Sequence, residues 1–515
     1  MTIFDLLAEA VAQDPAAPSV IYREKTYTYG ELLAMVDGFA GGLAALGLKR
    51  GSRIALLLPN CPPFIIAYLA ASRIGCTVVP MNVLYRPDEA RFILADAGAE
   101  ALVTAEPFRP LVQALRPHLP ELKHVVMAGD GELADGEVAF RQVCAHKPPR
   151  HVSVSERDVA VILYTSGTTG RPKGAMLSHK NLLANAQSCA DLLHVNSSDC
   201  FFSALPLFHA FAAMVYLILP IKVGARIPLL ERFMPSQTLQ MMEDTGATVF
   251  GGVPSMFGLL LQVPRETRPD LSKLRLCVSG GAPLPPEIMT AFIAMFDVVM
   301  VEGYGLTEAS PVVAANPPDG VKKIGSIGPP LPGIQVKIID DQGRAVGQGV
   351  IGELLVKGEN VMKGYLHKPQ ETKQVVKNGW LYTGDLARAD EDGYLYIVGR
   401  KKEMIIVGGL NVYPGEVERV LVEHPAVLEA AAFGIPDPAR GEAVWAAVIL
   451  RPELQATAKE LQALCREKLA SYKVPRGIDI RSELPKNALG KVVRHLLHEE
   501  VVQRMQTAAK APVEV

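Results

Sequence analysis

The spacing of apolar positions changes several times along the 515 residues, and each change predicts an element. Residues 1–15 set apolar side chains at helical spacing around Asp5 and Glu9, which predicts an amphipathic helix. Val20-Ile21-Tyr22 and Thr26-Tyr27-Thr28 flank a turn within residues 18–30 and predict paired strands. Helical spacing resumes from Glu31 through Leu46. A strand at 54–58, a helix at 62–74 and a strand at 78–80 follow. This alternation runs to about residue 300 and predicts α/β layers on largely parallel sheets.

Past residue 320 the texture shifts. Gly328-Pro329-Pro330-Leu331-Pro332-Gly333 breaks the chain, and short strands follow at 335–339, 352–357 and 393–398. They predict a small β-barrel or meander over about 320–400, appended to the α/β body. From Lys401 a third block reads as a strand at 404–407, a helix at 414–422, strands at 428–434 and 442–450, and a helix at 458–469. The expected division is a large domain, 1–400, and a small α+β domain, 401–515. The longest apolar stretch, 208–221, is broken by His209 and Pro220, and falls short of the ~18–20 residues a membrane-spanning helix needs.

Composition narrows the class. Hydrophobic residues make up 49% and charged residues 21%, as in ordinary globular enzymes, and the length calls for two or more domains. A net charge of −2 supplies no basic field, so no nucleic-acid partner is expected. Seven scattered cysteines form no CxxC pair, which argues against a disulfide framework or a zinc site and for a reducing compartment. The N-terminus has no basic leader, so a cytoplasmic enzyme is expected; peripheral membrane contact and a homodimer stay open.

The most informative run is Tyr164-Thr165-Ser166-Gly167-Thr168-Thr169-Gly170-Arg171-Pro172-Lys173-Gly174, which follows the strand-like Val159–Tyr164. Glycines let backbone amides approach an anion; Thr165, Ser166, Thr168 and Thr169 add hydroxyls, and Lys173 adds charge. These are the parts of a triphosphate cradle. A Walker loop does not fit, because Pro172 stands where its second glycine would fall. On these residues alone, a polar loop without a ligand competes evenly with the cradle.

Four further segments follow in order: Gly303-Tyr304-Gly305-Leu306-Thr307-Glu308, Tyr382-Thr383-Gly384-Asp385, Gly399-Arg400-Lys401-Lys402-Glu403, and Pro485-Lys486-Asn487-Ala488-Leu489-Gly490-Lys491. Together with the loop they resemble the adenylate-forming superfamily of acyl-CoA synthetases, luciferases and peptide-synthetase adenylation domains, over nearly the whole chain. The resemblance implies that a carboxylate attacks the α-phosphorus of ATP, giving an acyl-adenylate, which a CoA thiol then intercepts. It further implies that Lys491 sits between carboxylate and α-phosphate, that Glu308 and Thr165 hold Mg2+, and that Thr307 donates to the α-phosphate. The loop residues Thr165–Gly170 and Lys173 would bind the triphosphate. Gly280, Gly281, Ala282 and Pro283, with Gly303, Tyr304 and Gly305, would bind the adenine. Asp385, Val398 and Arg400 would serve the nucleoside, Asp385 by accepting from both ribose hydroxyls.

Lys402 matches the family's hinge, and Gly408-Gly409 would line the pantetheine tunnel; several relatives carry a lysine where this chain has Ile406, so no second-step lysine is assigned. Each residue has a plainer reading: Glu308 as a helix-start carboxylate, Lys491 as an exposed turn lysine, and the glycine pairs as ordinary turns. Leu205-Pro206-Leu207-Phe208-His209 resembles the border of the acyl pocket, where His209 would contact the carboxylate or gate the pocket, or else is a buried structural histidine. Phe211, Ala212, Ala213, Val253, Pro311 and Val312 would wall the pocket. No aspartate stands near Phe208–Phe211 to pair an amino-acid ammonium, and only 24 residues follow Lys491, which together set aside a peptide-synthetase reading. The expected acid is a medium- to long-chain fatty acid, with an aryl or cinnamate-type acid second. A luciferase-like oxygenase and a non-catalytic nucleotide-binding module are the readings from other classes.

Overall fold

The computed structural model describes residues 1–165, 172–264, 268–486 and 492–510. The chain forms two compact units, Met1–Val336 with Leu355–Tyr382, and Lys337–Leu354 with Thr383–Val515. Ser166, Gly167, Thr168, Thr169, Gly170 and Lys491, all named above as nucleotide ligands, lie outside the described residues.

In the first unit an eight-stranded sheet runs in the order Gly364–Tyr365, Lys173–Ser178, Val159–Thr165, Thr77–Pro80, Arg53–Leu57, Ala101–Ala105, His124–Ala128, Glu137–Ala139. Its strands from Val159–Thr165 through Glu137–Ala139 are parallel, whereas Lys173–Ser178 and Gly364–Tyr365 run antiparallel at the edge. The parallel strands are covered on both faces, so Ile54, Ala55 and Leu56 are all buried and the strand reads as an unbroken apolar run. The helix Pro62–Ile74 starts on prolines, which need no donor there, and stops at Gly75, whose φ of 74° favours glycine.

A second sheet orders Phe201–Phe202, Val249–Gly252, Leu276–Ser279, Val299–Gly305 and Val312–Ala315. All pairings are parallel except the last, where the chain doubles back. Only glycine fits at 305, because a Cβ there would stand 2.1 Å from the Pro311 carbonyl oxygen. The apolar stretch after His209 is a succession of helical turns, Ala210–Ala213, the π-helical Met214–Ile218 and Leu219–Val223, buried in this unit. Among the described residues no helix is long and apolar enough to cross a membrane.

The predicted barrel-or-meander region holds one sheet, ordered Gln335–Ile339, Gly352–Lys357, Trp380–Ala389, Val376–Lys377, with Leu395–Arg400 also paired to Trp380–Ala389. Trp380–Ala389 was not among the expected strands. The strand expected at 393–398 starts later, at Leu395, because Gly393 (φ 81°) closes a turn onto the Asp390 carbonyl.

In the second unit, Leu410–Val412, Ile405–Val407, Gly441–Leu450 and Val427–Asp437 form an antiparallel sheet, and Gly477–Arg481 joins Gly441–Leu450 in parallel. Val417, Leu421 and Leu461, from the helices Pro414–Val422 and Ala458–Lys468, pack with Val444, Ala446 and Val448 in one core. Leu497 and Val501 of the final helix, Arg494–Lys510, join Phe433, Ile435 and Ala443 in another.

Candidate active site

In the eight-stranded and the five-stranded sheet of the first unit the candidate residues cluster at the carboxyl ends of parallel strands, where open α/β folds bind ligands. Val159–Thr165 ends at Thr165, which pairs with Lys173 on the returning strand. Leu276–Ser279 runs into Gly280-Gly281, Val249–Gly252 into Val253, and Val299–Gly305 carries Gly303, Tyr304 and Gly305 before the turn Thr307–Ala309.

Glu308 is held at three points. Its carbonyl accepts from the Met362 amide at 2.9 Å, the Asn360 amide group donates to the next carbonyl, Ala309, at 2.9 Å, and its Oε1 accepts from the Tyr365 hydroxyl at 2.7 Å. Burial, and then the charge of Glu308, push the Tyr365 phenol well above its ordinary value, so it stays a donor. The Lys173 ammonium lies 5.5 Å from the centre of the Tyr365 ring, within cation–π reach. Tyr365 thus joins the lysine of the hydroxyl-rich loop to the carboxylate of the second sheet. The sequence reading named the lysine and the carboxylate but not the tyrosine between them. Among the described residues no group of three or more His, Cys, Asp or Glu side chains could hold a metal ion. A single carboxylate still suits Mg2+, which fills its shell with phosphate oxygens and water.

The residues expected at the acyl pocket and at the adenine meet. A Cβ on Gly280 would come within 3.3 Å of the Phe211 ring, and one on Gly281 within 3.5 Å of Val253, so both side chains lie against that glycine pair. Gly281 also has a φ of 83°, which favours glycine. Ala212 and Ala213 are buried beside them in the chain. His209 caps the helix Ala210–Ala213, its Nδ1 accepting from the Phe211 amide at 3.3 Å. Burial pushes the imidazole down to about 4, so the ring is neutral near pH 7. Asn60 fixes the preceding segment: its side chain donates to the Leu205 carbonyl at 2.9 Å and accepts from the Leu207 amide at 2.8 Å. Asn185 does the same for Val312, donating to its carbonyl at 2.6 Å and accepting from its amide at 3.1 Å.

The second unit holds the other candidates. Asp385 is buried and paired with Arg400, whose Nε stands 3.0 Å from Oδ1. Thr383 supports it: its hydroxyl donates to the Leu354 carbonyl at 2.7 Å and accepts from the Asp385 amide at 3.0 Å. Gly384 between them has a φ of 72°, which a side chain would resist. Val398 and Arg400 share the strand Leu395–Arg400, and Lys402 lies in the single turn Lys401–Glu403 that follows. Gly408 and Gly409, with φ of 59° and 81°, form the tight hairpin between Ile405–Val407 and Leu410–Val412. Hairpin geometry alone calls for glycine at both.

The model of the AMP-binding enzyme family matches residues 7–366, and that of the AMP-binding enzyme C-terminal domain matches 416–491. The chain belongs to the AMP-binding enzyme family. It is 36% identical to a long-chain-fatty-acid–CoA ligase of Bacillus subtilis, over 97% of this chain and 94% of that one. It is 36% identical to a feruloyl-CoA synthase of an Amycolatopsis species, over 93% and 95%. The crystal structure of ATP-bound MatB from Rhodopseudomonas palustris superposes with a TM-score of 0.90 at 32% identity, covering 98% of this chain and all of that one.

One further carboxyl near the site was not foreseen. Glu302, 5% exposed on the strand Val299–Gly305, accepts from the Leu284 amide at 3.0 Å and so anchors the end of the 280–284 segment. Burial pushes its carboxyl up to about 7, and the Leu284 bond offsets this only in part. The folded protein therefore holds this proton more tightly than the unfolded chain, whose glutamates titrate near ~4.3. Stability should be unaffected by this group below that value and fall as pH rises toward 7. Glu302→Gln keeps an acceptor for Leu284 without the charge. It is expected to raise stability at pH 8 by about 1–3 kcal/mol and to leave it nearly unchanged at pH 4.5, which melting curves at the two pH values check.

Proposed function

We propose that this ATP-dependent acyl-CoA ligase acts on carboxylic acids with apolar tails, fatty acids of medium to long chain first. The reading rests above all on the packing of Phe211 and Val253 against Gly280-Gly281, which sets an apolar wall beside the glycine segment that resembles an adenine site. The feruloyl-CoA synthase relative favours an aryl acid as the second reading.

In the first half-reaction a carboxylate oxygen attacks the α-phosphorus and the bond to pyrophosphate breaks. Two anions must meet, so catalysis rests on positioning and positive charge. Lys173, with the loop Ser166–Gly170, would hold the triphosphate, and Thr307 would donate to the α-phosphate. Glu308, with Thr165, would hold Mg2+, which when bound neutralises phosphate charge. Lys491 would bridge carboxylate and α-phosphate. Gly280–Pro283 and Tyr304 would take the adenine. Asp385, oriented by Arg400 and Thr383, would take the ribose hydroxyls. Neutral His209 would meet the carboxylate as a hydrogen-bond donor. In the second half-reaction the CoA sulfur attacks the acyl carbon, AMP leaves, and the thiol proton passes to solvent. Residues 401–515 would turn about Lys402 between the two, bringing Gly408-Gly409 to the pantetheine arm.

Three measurements test this. Tyr365→Phe loses the bond that orients Glu308, and should raise the Mg2+ concentration needed for half-maximal pyrophosphate exchange about tenfold. Weaker Mg2+-dependent binding of a fluorescent ATP analogue should accompany it, and an unchanged Mg2+ profile would remove Glu308 from the metal site. Ala213→Phe should shift the acid profile toward shorter chains; an unmoved profile, or an amino acid with the highest kcat/KM, would refute the apolar pocket.

Lys491→Ala should lose carboxylate-dependent exchange by on the order of 10²–10³-fold, yet convert supplied acyl-adenylate and CoA to thioester near the parent rate. Lys402→Pro should do the reverse, because proline fixes φ at the pivot. Equal loss of both half-reactions in both variants would rule out the two-conformation scheme.

A further inference from the structure

Lys402 is flanked by anchored neighbours on both sides. Before it, Arg400 pairs with Asp385 at 3.0 Å, and Lys401 reaches Asp341 at 3.0 Å and Glu353 at 3.2 Å. After it, Glu403 accepts from Arg494 Nη1 at 2.9 Å. Arg494 is the first residue of the final helix and stands three positions after Lys491. Its other nitrogens grip Glu418, with Nη2 at 2.8 and 3.1 Å from the two oxygens and Nε at 3.1 Å. Glu418, on Pro414–Val422, also accepts from the Ala432 amide at 2.8 Å. The guanidinium is largely buried between the two carboxylates, at 21% side-chain exposure. A planar fork satisfied on three nitrogens is rigid, unlike a surface ion pair.

The segment carrying Lys491 is closed at its base. Lys486 pairs with Val492, and the Val493 amide donates to the Pro485 carbonyl at 2.8 Å. The chain leaving this base is therefore tied, within one residue, to the residue that follows the pivot. The span from Glu403 to Arg494 is 91 residues in sequence.

We propose that Arg494 is a positioning residue that locks the base of the Lys491 segment to Glu403, so that a turn at Lys402 carries Lys491 into the adenylation site in fixed register. Glu418 is the fixed end of this strut, and Glu403 its pivot end. This rests on the hinge and lysine roles given under the proposed function. Lys491 serves adenylation only, so a loosened strut harms one half-reaction. Misplacing a reacting charge by about 1 Å costs on the order of 10²-fold, whereas the acyl transfer step does not depend on that charge.

The test measures both half-reactions and the melting temperature of the full chain. Glu403→Gln removes the pivot end and leaves Arg494 on Glu418; it should lower pyrophosphate exchange about 10-fold or more and leave thioester formation from supplied acyl-adenylate within about twofold. Arg494→Met should show the same split, and the double variant should lose no more exchange than Arg494→Met alone. Glu418→Gln, which weakens the fixed end within the small domain's own packing, should lower the melting temperature more than Glu403→Gln does. Equal loss of the two half-reactions in Glu403→Gln, or independent losses that multiply in the double variant, would overturn the strut. Should Arg494→Met fail to fold, Glu403→Gln decides alone. Lys491→Ala separates the two layers: if it loses exchange and Glu403→Gln does not, the strut falls and the lysine role stands; if it keeps exchange, both fall.

Discussion

The first unit depends on a seam of hydrogen bonds along residues 359–366. The Asn181 side chain donates to the carbonyls of Glu359 and Val361, at 2.7 and 2.8 Å. Asn360 and Ser310 bind each other's surroundings, through Ala309 and the Asn360 carbonyl. The Met362 amide reaches Glu308, Lys363 reaches Met176, and Leu366 reaches Gly174. One short stretch thereby completes the edge of the eight-stranded sheet and also fixes the turn that ends the five-stranded one. Buried backbone groups without partners cost ~1–3 kcal/mol each, so this seam leaves little freedom for the Glu308 turn to drift from Lys173. The Tyr365 hydroxyl is its last stitch, and among the described residues it ends on an ionisable side chain of the candidate site, Glu308. For the roles proposed for Lys173 and Glu308, relative placement is a matter of tenths of an ångström, and a network of fixed length supplies it.

The same logic separates two glutamates six positions apart. Glu302 and Glu308 belong to one strand-and-turn segment, yet their surroundings differ. Glu302 is enclosed and meets a single backbone amide, which leaves its charge poorly compensated. Glu308 faces the phenol of Tyr365 with the Lys173 ammonium beyond it. Carboxylates take their roles from such environments, not from residue type. Burial lets Glu302 hold its proton to higher pH beneath the glycine segment, whereas Glu308 lies against the Tyr365 hydroxyl.

How much of this was legible beforehand follows from the range of each interaction. Pro62–Ile74, Gln335–Ile339, Gly352–Lys357 and Pro414–Val422 were read to the residue, because local spacing and proline or glycine punctuation set their bounds. Trp380–Ala389 was not, since Thr383-Gly384-Asp385 breaks the alternation inside a continuous strand. The final helix was missed because its buried stripe is narrow, Leu497 and Val501 with few others. Tyr365 lies 57 residues from Glu308, and nothing local marks a tyrosine in Gly364–Tyr365 as a partner for it. Glu302 reads as an ordinary polar interruption of a strand until its burial is known. Asp385, in contrast, was named through the family resemblance alone, and its pairing with Arg400 follows from the register of two strands.

A ligase that runs two reactions on one acyl group faces a conflict that a rigid site cannot resolve. The charge that draws carboxylate and α-phosphate together obstructs the approach of a thiol from the same side. Moving that charge away requires a pivot with few degrees of freedom, because each freely rotating residue at the pivot spreads the lysine over a larger volume and lowers its effective concentration. In the proposed scheme, ion pairs on Arg400, Lys401 and Glu403 would confine the turn to the neighbourhood of Lys402. Such pairs are a better device than apolar packing for this purpose. Apolar contacts slide with little directional preference, whereas a guanidinium fork on a carboxylate fixes angle as well as distance. On that proposal the small unit would take the direction of its turn from charges set at either side of Lys402, and it draws its stability from the separate apolar cores around Val444 and Phe433.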